Sequence, residues 1–295
     1  TAQVAVFGIN GTVFGIIVAA IVAVIIFGGI KRIAKVMEKA VPIIAAIYIV
    51  GVLIILALNA ENILPAIGSI FAYAFQPHAA VGGFAGSTVA LALRWGAARG
   101  VYSNEAGFGS APSAHAAAEV DHPIRQAMWG VFEVAVDTLL VCTATALAVL
   151  VTDVWKDPNI GSGALGQAAF HQVFGVAGDY FVSILVLIFV ITTITVVIFY
   201  DERQAEFLFK TPKAGVAWRF IAIATMITVT FGMELTAMYQ LTDFFTGLFI
   251  IPNMIAVIWL VPQVVQLQKE YYNTPGKYYL ADKEEKLAKK AAKKK

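Results

Sequence analysis

Apolar residues run along this chain in long unbroken stretches rather than at the alternating spacing of half-buried helices or strands. A hydrocarbon core of about 30 Å needs roughly 20 apolar residues in a helix. The stretches 13–30, 41–59, 125–151, 181–200, 216–232 and 241–265 approach or pass that length. With no water at that depth, backbone groups must pair within the segment, so each stretch predicts a helix. Residues 63–75 form a shorter apolar run, and Gln76, Pro77 and His78 break it. Residues 79–95 resume with Gly82, Gly83 and Gly86. This pattern predicts a half helix or interfacial helix, then a small-residue membrane helix, for about seven spans in all.

Charge changes that picture by giving it a direction. Lysine and arginine gather on the cytoplasmic side of membrane proteins. If 13–30 descends into the cytoplasm, 20 of the 21 basic residues fall on that side, and only Lys156 falls outside. The C-terminus is then cytoplasmic, and residues 268–295 form a basic cytoplasmic tail after a transporting or scaffolding body of residues 1–267. The same partition puts Thr1 outside. No secretory signal precedes the first run, so an odd number of further helices, for instance three, is expected upstream.

Composition then removes whole classes. The chain is 59% apolar and 14% charged with a mean hydropathy of +0.78, too few charges to coat a soluble globule of 295 residues. A net charge of +2 does not suggest a nucleic-acid partner. Cys142 is the single cysteine, which excludes an intrachain disulfide framework or a thiolate metal cluster. Neither His-Glu-x-x-His nor Gly-x-Ser-x-Gly occurs, and no enzyme is expected. The expected class is an all-α, multi-pass protein of the cell membrane.

Several polar positions stand out from the apolar background. Residues 99–112 form a glycine-rich polar stretch in which Asn104 and Glu105 are suited to cap a following helix. Glu133 and Asp137 lie four apart, on one face of a membrane helix. A carboxylate at that depth is costly unless it meets a partner or a wet cavity, so Asp137 is open to proton relay, ion binding or a structural lock. Thr192 and Thr193 are adjacent near mid-span; they could give a sodium ion two oxygens or simply bond to the carbonyls one turn back. Pro252 and Asn253 are expected to interrupt the last span. The tail beyond Asp282 reads as solvated and partly helical.

The run RGVYSNEAGFGSAPSAHAAAEVDHPIRQAMWGVFEVAVDTLLVCTATAL at 99–147 closely resembles the signature of the alanine or glycine:cation symporter family. FGGIKRIAKVMEKAVP at 27–42 resembles that family's basic loop between two core helices. ITTI at 191–194 and FYDERQAEFLF at 199–209 resemble its Thr-Thr-Ile-x-x-Trp and Tyr-Tyr-Gly-Glu region. LTDFFTGLFIIPN at 241–253 resembles its Asp-x-x-Asn-Gly-x-x-x-x-Pro-Asn pattern. The resemblance covers essentially the whole chain. Three positions depart from it: Val197 stands where the pattern has tryptophan, Asp201 where it has glycine, and Thr246 where it has asparagine.

The resemblance implies a sodium-coupled symporter of a small neutral amino acid, alanine or glycine, with a leucine-transporter-like inverted-repeat fold. On that plan the chain holds core helices four to ten, and the earlier helices, with about half of the binding cavity, are expected in sequence preceding it. Residues 1–295 alone are then expected neither to transport nor to bind alanine strongly. By the same resemblance Thr193 and Ile194 contact substrate, Val197 widens the pocket, and Thr192 with Thr193 holds sodium. Gly82, Gly83 and Phe84 are candidates for exposed backbone in helix six, and Asn104, Glu105, Glu133 and Asp137 for ion relay or motif structure. Sodium is the coupling ion, and no other cofactor is expected. The competing reading is a non-transporting membrane scaffold or remnant; a membrane hydrolase using Asp137 or Glu133 is a more distant one.

Overall fold

The architecture comes from a computed structural model, which describes residues 6–28, 30–75, 96, 99–231 and 235–292. All secondary structure among the described residues is helical. The helices are α1 (Gly11–Ile26), α2 (Ile30–Leu58), α3 (Ile63–Phe75), α4 (Ala111–His115), α5 (Pro123–Ala135), α6 (Thr143–Val151), α7 (Leu165–Phe174), α8 (Val176–Phe209), α9 (Pro212–Val229), α10 (Leu235–Asn273) and α11 (Tyr278–Ala292). A π-helical segment, Val136–Cys142, joins α5 to α6. Among the described residues four stretches are long and apolar enough to cross a bilayer: Lys35–Leu58, Pro123–Val151, Val176–Phe209 and Gln240–Glu285.

Several boundaries differ from expectation for physical reasons. The basic segment after Gly29 is not a loop: α2 begins at Ile30 and carries Lys31 to Lys39 within it. Lysine, arginine, glutamate, methionine and alanine are all good helix formers, and nothing before Pro42 breaks the run. The first expected span shrinks to the 16 residues of α1, about 24 Å of helix. Asn10 starts it, its side chain accepting from the Thr12 amide at 2.8 Å. Pro252 does not interrupt the last span; α10 continues through both Pro252 and Pro262. Residue 268, the expected start of the tail, lies inside α10. The expected helix over 79–95 lies outside the described residues.

The described chain divides into two compact units, one of residues 1–99 with 138–234 and one of residues 100–137 with 235–295. In the first, α8 is the hub, packed by α1, α2, α7 and α9. Sealed apolar side chains on α2, α3, α6, α7 and α8 build one core around Phe170, whose ring stacks on Tyr48, Phe174 and Phe181. Tyr48 reaches Thr145 through a 2.7 Å hydroxyl contact, so its polar tip is satisfied inside that core. A second core joins Val18, Val22 and Ile26 of α1 to Ile198 of α8. In the second unit α10 packs on α5, and α11 folds back on α10. His122 is buried there against Tyr271 and Tyr278, with ring centroids 5.2 and 4.5 Å away. Arg125 bridges to Asp282 of α11 at 2.9 Å.

The α7–α8 corner depends on a missing side chain. A Cβ on Gly178 would lie 2.5 Å from the Phe170 carbonyl oxygen, a backbone atom that cannot swing aside. Gly178→Ala is therefore expected to lose about 1–3 kcal/mol, the scale of overpacking. Gly166→Ala, in the first turn of α7 with nothing within 4 Å, should leave the unfolding temperature in detergent level or slightly raised. Equal melting of the two variants would show that the corner does not need the close approach.

Candidate functional site

Helix α8 separates two jobs onto two faces. Thr192 is 4% exposed and donates its hydroxyl to the Phe189 carbonyl at 2.9 Å. Thr195, fully buried, donates to Ile191 at 2.7 Å. Those bonds spend the hydroxyl protons, while the oxygen lone pairs stay available to a cation. Thr193 is exposed on the next face round, and with Ile194 and Val197 it lines a cavity of about 630 Å³. Phe14 and Val18 of α1 and Trp218 and Met226 of α9 also line it. The cavity belongs wholly to the first unit. Among the described residues no group of three His, Cys, Asp or Glu side chains is placed to hold a metal ion.

Next to the end of this cavity where Asp201 and Trp218 line it lies an ion pair that sequence reasoning missed. Lys210 ends α8 in the left-handed conformation, and Thr211 and Pro212 start α9, with Thr211 capping the Lys213 amide. This tight reversal returns α9 along α8 and brings Arg219 onto Glu202. The Glu202 side chain is 2% exposed. Arg219 grips it with two nitrogens, Nε to Oε2 at 2.9 Å and Nη2 to Oε1. Arg203 adds a 3.1 Å contact to Glu202 and a 2.8 Å bond to Glu206. Glu202 is the glutamate of the quoted Tyr-Tyr-Gly-Glu resemblance, so the signal was present; Arg219, seventeen residues on, carries no local signal at all.

In the second unit the signature run forms a compact polar loop. Asn104 does not cap α4. Its side chain closes a turn on itself, accepting from the Ala106 amide at 3.0 Å and donating to the Gly100 carbonyl at 3.0 Å. Glu105, at φ 52°, accepts from the Ser110 hydroxyl, and Ser110 precedes α4 without a side-chain cap. A side chain is disfavoured at Gly109, which sits at φ 89° and where a Cβ would crowd Asn253 Oδ1 at 2.9 Å. Asn253 donates to the Gly107 carbonyl at 2.8 Å, so the two quoted motifs, far apart in sequence, meet. Glu133 and Asp137, expected together on one face, take different partners. Glu133 meets His115 Nε2 at 3.1 Å, and Asp137 accepts from Ser103 at 2.9 Å. The π segment begins between them and rotates the helix out of simple four-residue register. Gly82, Gly83 and Phe84 lie outside the described residues.

Removing one partner of a sealed pair strands the other charge. Arg219→Met should cost about 3–5 kcal/mol, and Arg203→Met, whose side chain is 44% exposed, no more than about 1 kcal/mol. Chemical or thermal unfolding in detergent measures both; an equal loss from the two variants would mean that Glu202 is not held by Arg219 in particular.

The geometry can be set beside known proteins. The family model described as the sodium:alanine symporter family matches residues 1–285. YflA of Bacillus subtilis, named an uncharacterized transporter, is 42% identical over 278 residues, covering 94% of this chain and 58% of its own length. The probable sodium/glutamine symporter GlnT of the same organism is 36% identical over 265 residues, 90% of this chain and 54% of that protein. The sodium/alanine symporter AgcS of Methanococcus maripaludis is 36% identical over 269 residues, 90% of this chain and 58% of that protein. The chain thus spans somewhat more than half the length of these relatives. With four helices among the described residues fit to cross a bilayer and a family match over nearly its whole length, this chain is an integral membrane protein that belongs to the sodium:alanine symporter family.

Proposed function

We propose that the protein carrying this chain is a sodium-coupled symporter that moves a small neutral amino acid across the cell membrane by alternating access. The observation that carries the reading is the α8 face itself. Thr193, Ile194 and Val197, the positions the family pattern links to substrate, line one cavity of about 630 Å³, within the usual size of a ligand site. AgcS is named for alanine and GlnT for glutamine, which supports an α-amino acid as the substrate class. Valine at 197 in place of the pattern's tryptophan favours a side chain larger than a methyl group.

In this reading the chain supplies core helices four to ten of a leucine-transporter-like inverted-repeat fold, with the rest of the cavity contributed from outside residues 1–295. Thr192 and Thr193 offer oxygens to sodium, and Gly82, Gly83 and Phe84 offer backbone in the sixth helix. Residues 1–267 make the transmembrane body, and 268–295 follow it on the cytoplasmic side, as the lysine distribution supports. The loop of Asn104 and Glu105, with Asp137 and Glu133, braces the inner end of that body or relays ions through it.

The test is uptake of labelled alanine into cells expressing the intact gene, in sodium buffer and in choline buffer. Uptake should require sodium, and Thr192→Val and Thr193→Val should each raise the half-saturating sodium concentration by about tenfold or more, the value of one lost ligand oxygen. Equal uptake in choline, or unchanged sodium dependence in both variants, would overturn the reading.

A further inference from the structure

The second unit ends in a helix that the symport reading does not use. The exposed apolar positions of α10 run as far as Val264 and Val265. Tyr271 follows six residues on, about 9 Å further along the helix axis. A headgroup layer is about 5–8 Å deep, so Tyr271 falls near its outer edge. Tyrosine collects at that level, and Tyr271, Tyr272, Tyr278 and Tyr279 pack together there. Arg125 sits in the first turn of α5, where the apolar stretch Pro123–Val151 begins, and it pairs with Asp282 at 2.9 Å. The tyrosine cluster and the ion pair therefore hold the start of α11 at the ends of two apolar stretches, close to the bilayer surface.

The faces of α11 are sorted. Tyr278, against His122, and Asp282, against Arg125, lie one turn apart and mark the face turned to its own protein. At about 100° per residue, positions 280, 287 and 291 fall on the opposite face, and all are leucine or alanine, with Glu284 at their margin. Leu287 is 59% exposed. Lysine positions 283, 286 and 290 share the flank beside that stripe. Charge is as uneven along the length. Residues 278–285 hold one lysine and three acids, whereas residues 286–295 hold six lysines and no acid. A solvated tail gains nothing from an outward leucine stripe beside unbalanced positive charge. A surface that is apolar within and negative at its rim satisfies both. We propose that α11 is an interfacial helix that binds the anionic phospholipid headgroups of the bilayer around it. The 280–287–291 stripe meets the boundary of headgroups and acyl chains, the lysines of 286–295 supply the attraction to lipid phosphate, and the Arg125–Asp282 pair fixes where the helix begins.

The test is hydrogen–deuterium exchange on the intact gene product in nanodiscs of phosphatidylcholine alone and of equal parts phosphatidylcholine and phosphatidylglycerol. Amides of residues 284–292 should exchange about tenfold or more slowly in the anionic discs, the effect of a few lysines each drawn to the headgroups. High salt should erase the difference, because screening shortens the reach of the charges. Lys286→Gln, Lys289→Gln and Lys290→Gln together should remove most of it, while residues 241–265 keep the protection of a folded membrane helix. Equally slow exchange in the two discs means that α11 is held by its own protein, and equally fast exchange means that it is solvated; either result overturns the proposal. A difference that survives the three replacements overturns it too. Should that variant fail to fold, the wild-type protein decides alone: a difference that high salt leaves unchanged overturns the proposal. The comparison needs no substrate, so its outcome and that of the uptake experiment are independent.

Discussion

A carboxylate closed off from water needs a cation at its side, and in this chain that requirement sets the geometry of the first unit. Glu202 is held by two nitrogens of Arg219, which is possible only if α9 turns straight back along α8 in one register. The turn is built for it: a left-handed Lys210 ends one helix, and Thr211 with Pro212 starts the next. Unpairing Glu202 costs several kcal/mol, more than sliding an apolar helix contact by a turn would gain, so the pair selects the register and the apolar side chains fill in around it. The adjacent cavity inherits its dimensions from that choice, since Trp218 is the direct neighbour of Arg219 and reaches the cavity wall from the same helix.

How far the sequence foretold this structure depends on whether each cause was local. The helical runs were legible because hydropathy is a local sum: α8 and α10 contain the runs expected of them, and α2 contains all but the last residue of its run. Their ends were less so. The basic residues 31–39 read as a loop by charge, yet their helix propensity is high, and helix won because no breaker lies between Ile30 and Pro42. Pro252 read as an interruption, but a long helix can lose one hydrogen bond and continue, and α10 does. The split of Glu133 and Asp137 onto separate partners was not legible at all, since a π segment leaves no mark in residue periodicity. Nor was the pairing of Arg219 with Glu202, which depends on where a turn falls rather than on any spacing within one helix.

The signature loop shows the same contrast between motif and mechanism. Asn104 and Glu105 looked like helix caps because such residues usually cap. Their side chains instead fold the loop onto itself, so that its carbonyl at Gly107 and its bare Cα at Gly109 meet Asn253. A resemblance can mark both segments as important without saying that they touch. An amide donor on α10 and two glycines in the loop are thus parts of one interaction within the second unit.

The faces of α8 give this arrangement its adaptability. In each of two neighbouring pairs, Thr192 with Thr193 and Asp201 with Glu202, one residue is sealed into helix packing and the other stands on the cavity. Because successive residues on a helix point about 100° apart, a change on the cavity side leaves the packed side undisturbed. The departures from the family pattern on this helix obey that division. Thr192 and Glu202 keep the pattern where they are buried, while Val197 and Asp201 break it where they line the cavity. Packing resists substitution here because a buried polar group must keep its partner, whereas a cavity wall answers only to whatever fills the cavity. A scaffold constrained on one face can therefore change what it accepts by substitutions on the other.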